Sequence, residues 1–421
     1  MMQLEKYKLG EIAFITKLAG FEHTKYIQGN CVHEKKDDNY IPLFIGKTIK
    51  DGKINPEFDW YISKDIADKL ERSQLKKKCI VLPYVGTLGD LAIFDGSYYA
   101  LLGSNVAKIE LEDNDLFTEE FIYYYLKSSA GQAVLLKDQQ GGVQKNITMD
   151  SIRNVEIPFF DKEHQLYITS VLSSLDRKIA LNRAINRNLE ALAKQIYDYW
   201  FVQFDFPDEN GKPYKSSGGK MVWNETLKRE IPIAWKSGAF SDIANITMGQ
   251  SPDGSSYNEK GEGIVFYQGS TDFGIRFPSV RMYTTSPSRY AKQGDILMSV
   301  RAPIGAVNIA NSDCCIGRGL SAINSKKGSI TYIYYVIHYL KVRFDSLNTA
   351  GTTFGSITKD ELFSLPVIIP SEKILERFEA ICKPIFNKQM EIGFEIESLT
   401  RQRDELLPLL MNGQLTVNSD L

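Results

Sequence analysis

The distribution of apolar residues divides the chain into two kinds of segment. Two long stretches, residues 161–204 and 371–413, place apolar side chains at alternating steps of three and four. This spacing collects them on one face of an α-helix and is typical of a coiled-coil seam. The predicted seam of the first stretch is Ile168, Leu172, Leu175, Ile179, Asn182, Ile185, Leu189, Leu192, Ile196 and Tyr199. That of the second is Ile374, Phe378, Ile381, Ile385, Lys388, Ile392, Ile396, Leu399, Arg403 and Leu406.

The residues before each helix follow a different pattern. Short β-type runs such as CIVLPYV (79–85) and DILMSV (295–300) alternate with turns rich in Gly, Pro, Asn and Ser. Helical stretches such as FTEEFIYYYLKSS (117–129) occur among them. These features predict a compact α+β domain with short strands ahead of each helix.

The two domains are copies of one unit. LGEIAFITKLAG (9–20) matches FSDIANITMGQS (240–251), and KCIVLPYVGTLGDLAIF (78–94) aligns with GDILMSVRAPIGAVNIA (294–310). GGVQKNITMDSIRNVEIP (141–158) then parallels AGTTFGSITKDELFSLPVIIP (350–370). Because the three matches keep their order, the chain contains an internal repeat. Each copy ends in a helix, so a pseudo-two-fold arrangement predicts that the helices pack antiparallel and cover each other's apolar faces.

The predicted organisation is therefore a tandem of α+β domains with two long helices packed as an antiparallel coiled coil. Its parts are a first domain at 1–160, the first helix at 161–204, a connector at 205–236, a second domain at 237–370, the second helix at 371–413 and a C-terminal tail at 414–421. Pro384 lies inside the second helical pattern, where proline predicts a kink or a separation of the first turns.

Composition and charge narrow the classes of protein. At 421 residues the chain exceeds one ordinary core, and 43% hydrophobic with 24% charged residues excludes wholesale disorder. The net charge of −2 means that a nucleic-acid partner would need localised basic groups. Apolar runs fall short of the roughly 18 residues that a membrane span needs, and the N-terminus lacks the apolar core of a signal peptide. The five cysteines, Cys31, Cys79, Cys314, Cys315 and Cys382, show no CxxC spacing, so we expect a reducing, cytoplasmic location.

Catalytic and metal-binding motifs are weak throughout the sequence. GKT at 46–48 lacks the P-loop glycine, because Ile41 stands five residues earlier. Cys31 and His33 have no second ligand pair at zinc spacing. The chain contains no Pro-Pro, and therefore no Asn-Pro-Pro-aromatic tetrad of the kind that amino-methyltransferases use to hold a flipped base. We expect a chain that is not catalytic by itself and holds no metal.

Several segments resemble the specificity (S) subunits of type I restriction–modification systems. The sharpest match is the connector, with WFVQFDFP (200–207), GKPYKSSGGKMVWNETLKREIP (211–232) and WKSG (235–238). The helix entry PFFDKEHQLYITSVLSSLDRKI (158–179), the ending LLPLLMNGQL (406–415) and the openings DIANITMGQSP (242–252) and GDILMSVRAPIG (294–305) are also similar to that family. The resemblance covers nearly the whole chain.

The resemblance implies a DNA sequence-recognition subunit. Each α+β domain would be a target recognition domain that reads one half of a bipartite, asymmetric DNA target, while the helices fix the unread spacer. Two methylation (M) subunits would dock on the chain, and restriction (R) subunits would join them. S-adenosylmethionine, ATP and Mg would reside on these partners, with no cofactor in this chain.

Within each domain, Lys and Arg residues are expected to contact phosphates, while a few Arg, Gln, Asn, Ser or Tyr side chains read base edges. The candidate DNA contacts are chosen on this basis. In the first domain they are Lys17, His23, Lys25, Lys47, Lys50, Tyr84 and Lys145. In the second they are Gly249, Gln250, Ser251, Gln268, Ser270, Arg276, Arg281, Arg301 and Arg318. Arg301 aligns with Val85 of the first copy, and a position that differs between two domains built to read different half-sites is a reasonable place for base readout.

Two other functions fit parts of the sequence. An adenine-N6 DNA methyltransferase with fused recognition domains should contain the Pro-Pro tetrad and a cofactor loop. A coiled-coil protein that binds protein or glycan should show no affinity for DNA at low salt.

Overall fold

The computed structural model describes residues 5–50, 52–112, 116–137, 146–341, 344–345 and 355–414. It contains two compact units. The first combines Met1–Lys178 with Leu399–Leu421, and the second is Ile179–Ser398. Each unit therefore holds one α+β domain together with parts of both long helices.

The first unit is built on two four-stranded sheets. The antiparallel sheet has the spatial order Ala13–Lys17, Val106–Leu111, Cys79–Pro83 and Ala92–Phe94. The mixed sheet has the order Tyr61–Ser63, Tyr40–Phe44, Ala100–Leu102 and Gln74–Leu75. Two-stranded pairs join Lys6–Lys8 to Glu156–Pro158 and Ile49–Lys50 to Lys53–Ile54. The helices are Leu9–Ile12, Gly20–Glu22, Lys64–Ala67, Glu119–Lys127, Ser129–Leu135 and Met149–Arg153.

The second unit also contains two larger sheets. The antiparallel sheet has the order Ala244–Met248, Leu320–Ser325, Ile296–Ser299 and Val307–Ile309. The mixed sheet has the order Tyr257–Asn258, Tyr283–Thr284, Ile264–Tyr267, Cys314–Ile316 and Tyr290–Ala291. Two-stranded pairs join Lys236–Ala239 to Pro366–Ile369 and Met221–Asn224 to Arg229–Pro232. The short helices are Phe240–Ile243, Ile330–Tyr339 and Lys359–Phe363.

The strand order confirms the internal repeat. In both antiparallel sheets the opening strand pairs with the strand that comes last in sequence, and a β-hairpin follows it in space. The Ile-Thr motif that the copies share has the same role in each, since Thr148 and Thr358 cap a short helix with their hydroxyl groups. Isolated backbone bridges also correspond: Val85 pairs with Asn146, and Arg301 pairs with Ser356.

The two long helices are antiparallel within each unit. The first is Lys162–Tyr197, continued by a π-helical turn at Asp198–Val202, and the second is Glu372–Met411. In the first unit Arg403 Nη1 lies 2.9 Å from Asp176 Oδ1, beside the packed side chains Ile168, Leu172, Leu407 and Leu410. In the second unit Asn186 donates to the Gln389 carbonyl at 3.4 Å, and the rings of Tyr197 and Phe378 are 6.3 Å apart. Contact positions rise along one helix as they fall along the other, which confirms the antiparallel pairing.

The seam departs from its predicted positions in the middle of the first long helix. Ile185 and Leu192 are exposed, while the more polar Asn186 and the smaller Ala193 are buried. Tyr199 is also exposed, while Tyr197 is buried. In the second helix Ile381 and Lys388 are likewise exposed, and the buried positions are Cys382, Phe386 and Gln389. The prediction followed steps of three and four along each helix, whereas the helices approach each other along a row that includes a hydrogen-bonded pair, Asn186 and Gln389.

Pro384 does not divide the second long helix. The helix is continuous from Glu372 to Met411, so the predicted separation of its first turns is wrong. Pro384 and Ala380, whose carbonyl loses its amide partner, are both exposed, so water can solvate the freed group. No helix among the described residues is long and apolar enough to cross a membrane.

A buried carboxyl group links the second helix to the domain that precedes it. Glu379 accepts hydrogen bonds from the Thr331 hydroxyl at 2.5 Å and the Tyr332 amide at 3.1 Å, at the start of helix Ile330–Tyr339. Burial raises the pKa of this carboxyl above its ordinary value of 4.5. The folded state therefore holds the proton more tightly than the unfolded state.

We expect this carboxyl to make stability depend on pH. Its contribution is fully present below pH 4.5 and is lost as the pH rises through the raised pKa, because the folded state must then bury a charge. Glu379→Gln should flatten the fall in unfolding free energy between acid and neutral pH, measured by denaturant titration at a series of pH values. Glu376→Gln, at an exposed position of the same helix, should keep the wild-type profile. Identical profiles for the two variants would contradict the prediction.

Candidate nucleic-acid interface

Five of the predicted contact residues meet in one cleft of the second domain. The cleft has a volume of about 290 Å³. Its lining is Gln268, Gly269, Ser270, Thr271, Asp272, Arg281, Arg301, Ala302, Arg318 and Gly319. Residues from Gln268 to Gly319 thus form one polar, arginine-rich surface.

Strand direction explains why Gln268 and Arg318 lie together. Ile264–Tyr267 and Cys314–Ile316 are parallel neighbours, with Tyr267 opposite Ile316. Parallel strands that are adjacent end at the same edge of a sheet. The residues that follow them, Gln268 and Arg318, therefore emerge at one edge, and the Gly319 amide fixes the turn by donating to the Gln268 carbonyl at 3.2 Å.

Arg301 enters the cleft from the other sheet. It follows strand Ile296–Ser299, and its neighbours are anchored on both sides: Val300 N donates to Gly319 O at 2.9 Å and Ala302 N donates to Gly355 O at 2.9 Å. The backbone is therefore fixed while the side chain is exposed. Within the described part of the chain, the guanidinium groups of Arg301 and Arg318 have neither a hydrogen-bond acceptor nor an ion-pair partner.

Arg281 differs because it is held in place. Its Nε lies 2.5 Å from Oδ1 of Asp272, and this hydrogen bond and the carboxylate charge raise the pKa of Arg281. The Asp272 side chain is largely buried, whereas that of Arg281 is exposed. With three arginines and one aspartate, the lining of the cleft has a net positive charge that suits a phosphate backbone or the acceptor edge of a base.

The predicted loop Gly249–Ser251 lies beside the cleft. Gly249 N donates to Leu320 O at 2.9 Å and Gln250 N donates to Ile316 O at 3.0 Å, next to the residues that flank Arg318. The Arg318 amide in turn donates to the Ser251 hydroxyl at 3.4 Å. Gln250 is exposed, so this loop extends the polar surface.

Arg276 is the exception among the predicted contacts of this domain. Only 6% of its surface is exposed, and its Nη1 lies 3.3 Å from Glu190 Oε2 of the first long helix. A buried, ion-paired guanidinium cannot reach a phosphate or a base edge without giving up its partner. The prediction of a DNA contact at Arg276 is corrected on this ground.

The first domain gathers fewer of its predicted residues. The Lys17 ammonium lies 4.4 Å from the centre of the Tyr84 ring, and burial raises the pKa of Tyr84, which keeps its hydroxyl neutral. The remaining candidates are dispersed. His23 starts a π-helical turn, and Lys25 lies 4.9 Å from the Tyr26 ring centre. Lys47 pairs with Asp59 at 2.8 Å, and Lys50 is the exposed end of strand Ile49–Lys50. Lys145 lies outside the described residues.

Sequence reasoning missed Thr271 and Asp272. Asp272 matters because its carboxylate orients Arg281, nine residues later. A usable signal was present: Ser-Thr-Asp follows the apolar strand IVFY, and such residues favour a turn at a strand end. No group of three or more His, Cys, Asp or Glu side chains among the described residues could hold a metal ion.

A family model for the type I restriction modification DNA specificity domain matches residues 1–191 and 232–395. The chain belongs to this family. It is a specificity subunit with two recognition domains, and specificity subunits are the non-catalytic components of their systems. The two matched segments each contain one copy of the internal repeat.

Curated relatives agree with this assignment of the specificity subunit. The putative type I restriction enzyme MjaX specificity subunit of Methanocaldococcus jannaschii is 29% identical over 408 residues, covering 93% of this chain and 91% of the relative. The type I restriction enzyme HindI specificity subunit of Haemophilus influenzae is 24% identical over 366 residues, covering 70% of this chain and 77% of the relative. The crystal structure of a type I restriction-modification system S subunit from M. genitalium shares the fold, with a TM-score of 0.57, 18% identity and 97% of both chains covered.

Proposed function

We propose that this specificity subunit reads a bipartite, asymmetric DNA sequence in the cytoplasm. The recognition domain at 237–370 reads one half, the domain at 1–160 reads the other, and the long helices set the unread spacer. The observation that carries the proposal is the cleft of the second domain. Its exposed Arg301 and Arg318 lie on a fixed backbone with no acceptor among the described residues, beside Gln268 and Ser270.

The chemistry of the cleft favours readout of a guanine-containing half-site. Arginine forms two parallel hydrogen bonds with the O6 and N7 atoms of guanine, which is the commonest specific contact to DNA. Arg281, already oriented by Asp272, suits a phosphate contact that sets the position of the duplex. In the first domain Val85 stands at the position of Arg301, so the two half-sites differ at the base that this position reads.

Methylation and restriction subunits supply the chemistry in this proposal. They hold S-adenosylmethionine, ATP and Mg, and the described residues of this chain include no metal-binding cluster. The first long helix offers a surface for them. Leu181, Ile185, Leu192 and Tyr199 are exposed at steps of four, seven and seven, and so form a second apolar stripe on this helix. A heptad-spaced stripe that its own chain leaves open is suited to a helix of a methylation subunit.

Charge on this stripe should weaken assembly. Leu192→Asp is expected to lower the affinity for the methylation subunit at least tenfold, because a central apolar contact of an interface is worth about 2 kcal/mol or more. The affinity can be measured by calorimetry or by sedimentation of the mixed subunits. Ala191→Asp places the same charge on the neighbouring exposed position, outside the stripe, and should bind as the wild type does. Equal affinities for the two variants would remove the stripe from the docking surface.

Methylation mapping tests the whole proposal. The chain is co-expressed with the methylation subunit of its own system, and methylated adenines are located across the host genome by modification-sensitive sequencing. A single bipartite motif with a constant spacer is the expected result. A stable complex that methylates no defined motif would contradict it, and failure to retard any DNA at low salt would favour a protein or glycan partner instead.

A further inference from the structure

The second recognition domain is fastened to the long helices by side chains that the cleft does not use. Arg276 lies in the loop between strands Ile264–Tyr267 and Tyr283–Thr284, and its Nη1 is 3.3 Å from Glu190 Oε2. The same carboxylate oxygen accepts a hydrogen bond from Gln389 Nε2 at 2.9 Å. One oxygen atom therefore joins the domain, the first helix and the second helix.

Aromatic side chains and burial hold the Arg276 guanidinium in place beside Glu190. Its guanidinium lies 4.5 Å from the ring centre of Phe386 and 5.0 Å from that of Tyr334, so aromatic rings cover the charge. Its Nε and Nη2 atoms are buried with no acceptor among the described residues. A buried charge that loses its partner is strongly unfavourable. Displacement of the domain would therefore leave the guanidinium buried without its ion-pair partner.

A second contact sits one turn further along the second helix. Gly393 leaves room for Phe277, because a Cβ atom at position 393 would lie 2.5 Å from the Phe277 ring. The ring also packs on Phe394, with centres 4.7 Å apart. Glycine in the middle of a helix is unfavourable compared with alanine, so the close approach of Phe277 accounts for its presence there.

A third contact completes a row on the helix. Asn311 Nδ2 donates to Glu397 Oε1 at 3.0 Å. Gln389, Gly393 and Glu397 are four residues apart, so they share one helix face over a length of about 12 Å. Three contacts in a row fix where the domain sits along the helix, whereas a single contact would let it slide or turn.

The loop that carries Arg276 is also part of the cleft's support. Gly274 N donates to Asn308 Oδ1 at 2.9 Å and Ile309 N donates to Arg276 O at 2.9 Å, which binds the loop to strand Val307–Ile309. That strand pairs with Ile296–Ser299, which ends two residues before Arg301. Asp272, at the start of the loop, holds Arg281. A shift of the helix contacts would therefore move the cleft with it.

We infer that Arg276 and Gly393 are positioning residues that determine the length of the unread spacer. This inference rests on the proposed function, since it assumes that the cleft reads bases. Successive base pairs are about 3.4 Å apart, so the cleft must be held along the helix to better than that distance if one spacer length is to be favoured. The contacts at Gln389, Gly393 and Glu397 supply this restraint, and they involve different residues from those that would recognise the bases.

The test compares spacer use rather than overall activity. Arg276→Met removes the ion pair and keeps an unbranched side chain, and Gly393→Ala displaces Phe277. Each is co-expressed with the methylation subunit, and methylated motifs are mapped. We expect unchanged bases in both half-sites but at least a tenfold rise in methylation at spacers one base pair longer or shorter. Gly254→Ala adds the same methyl group in open space and should keep the wild-type spacer.

The possible results distinguish failure of the spacer inference from failure of the proposed DNA-reading function. A wild-type chain with no bipartite motif would defeat the proposed function. A wild-type motif that both folded variants methylate at one unchanged spacer, or loss of methylation in both without any new spacer, would overturn the inference alone. Gly393→Ala decides the matter if Arg276→Met does not fold, because alanine is the better helix former.

Discussion

Replacement of Arg301 by alanine is expected to make one position of the recognised DNA sequence degenerate. The side chain is exposed, lies in the cleft and has no acceptor among the described residues, so its hydrogen bonds are available for DNA. If it reads a guanine edge, its loss costs roughly 1–3 kcal/mol at that base pair and little elsewhere. Methylation mapping of the variant should then show the wild-type motif with one guanine position relaxed.

The alternative role for Arg301 leaves a different signature. A phosphate contact would weaken binding to all sequences alike and reduce the dependence of affinity on salt by about one counterion. Arg289→Ala is the matched control, since Arg289 is an exposed arginine of the same domain that does not line the cleft. If Arg301→Ala keeps both the wild-type affinity and the wild-type motif, Arg301 has no part in recognition.

Phe378→Ala is expected to lower the free energy of unfolding of the second unit by about 3–5 kcal/mol. Phe378 is completely buried, and its ring centre lies 4.9 Å from that of Phe201 and 5.9 Å from that of Trp200. Truncation therefore leaves a cavity between the end of the first helix and the start of the second. Denaturant titration followed by tryptophan fluorescence measures the change, since Trp200 reports on this site.

Ile381→Ala provides the comparison for that measurement. It lies on the same helix, but 45% of its surface is exposed, so its loss should cost less than about 1 kcal/mol. Equal shifts for Phe378→Ala and Ile381→Ala would mean that the aromatic cluster does not stabilise the helix pair in the way described above.

The sequence predicted the repeat and the helices well because both rest on long patterns. Three ordered matches identified the two copies, and the strand orders of the sheets agree with them. The exact seam was harder to predict, because Asn186 and Ala193 are buried where Ile185 and Leu192 were expected. Local hydrophobicity cannot show that a hydrogen-bonded amide pair is preferred at a helix contact.

The cleft likewise contains residues that the local sequence predicts and one whose position depends on long-range contacts. Gln268, Ser270 and Arg318 could be predicted because each follows an apolar strand, where polar residues reach the edge of a sheet. The sequence around Arg276 did not distinguish it from the other arginine candidates. Its loop nevertheless packs against the long helices, and its guanidinium forms an ion pair with Glu190. Only the long-range fold decides which arginine of a loop faces a partner inside the chain.

The corresponding backbone bridges at Val85 and Arg301 show that the scaffold and the side chain at this position can vary independently. Val85 pairs with Asn146 and Arg301 pairs with Ser356 through backbone atoms. This pairing does not depend on the identity of the side chain. A substitution at either position therefore leaves this backbone pairing available. If Arg301 reads DNA as proposed, a change of one codon at either position could alter the recognised DNA sequence while the backbone scaffold stays the same.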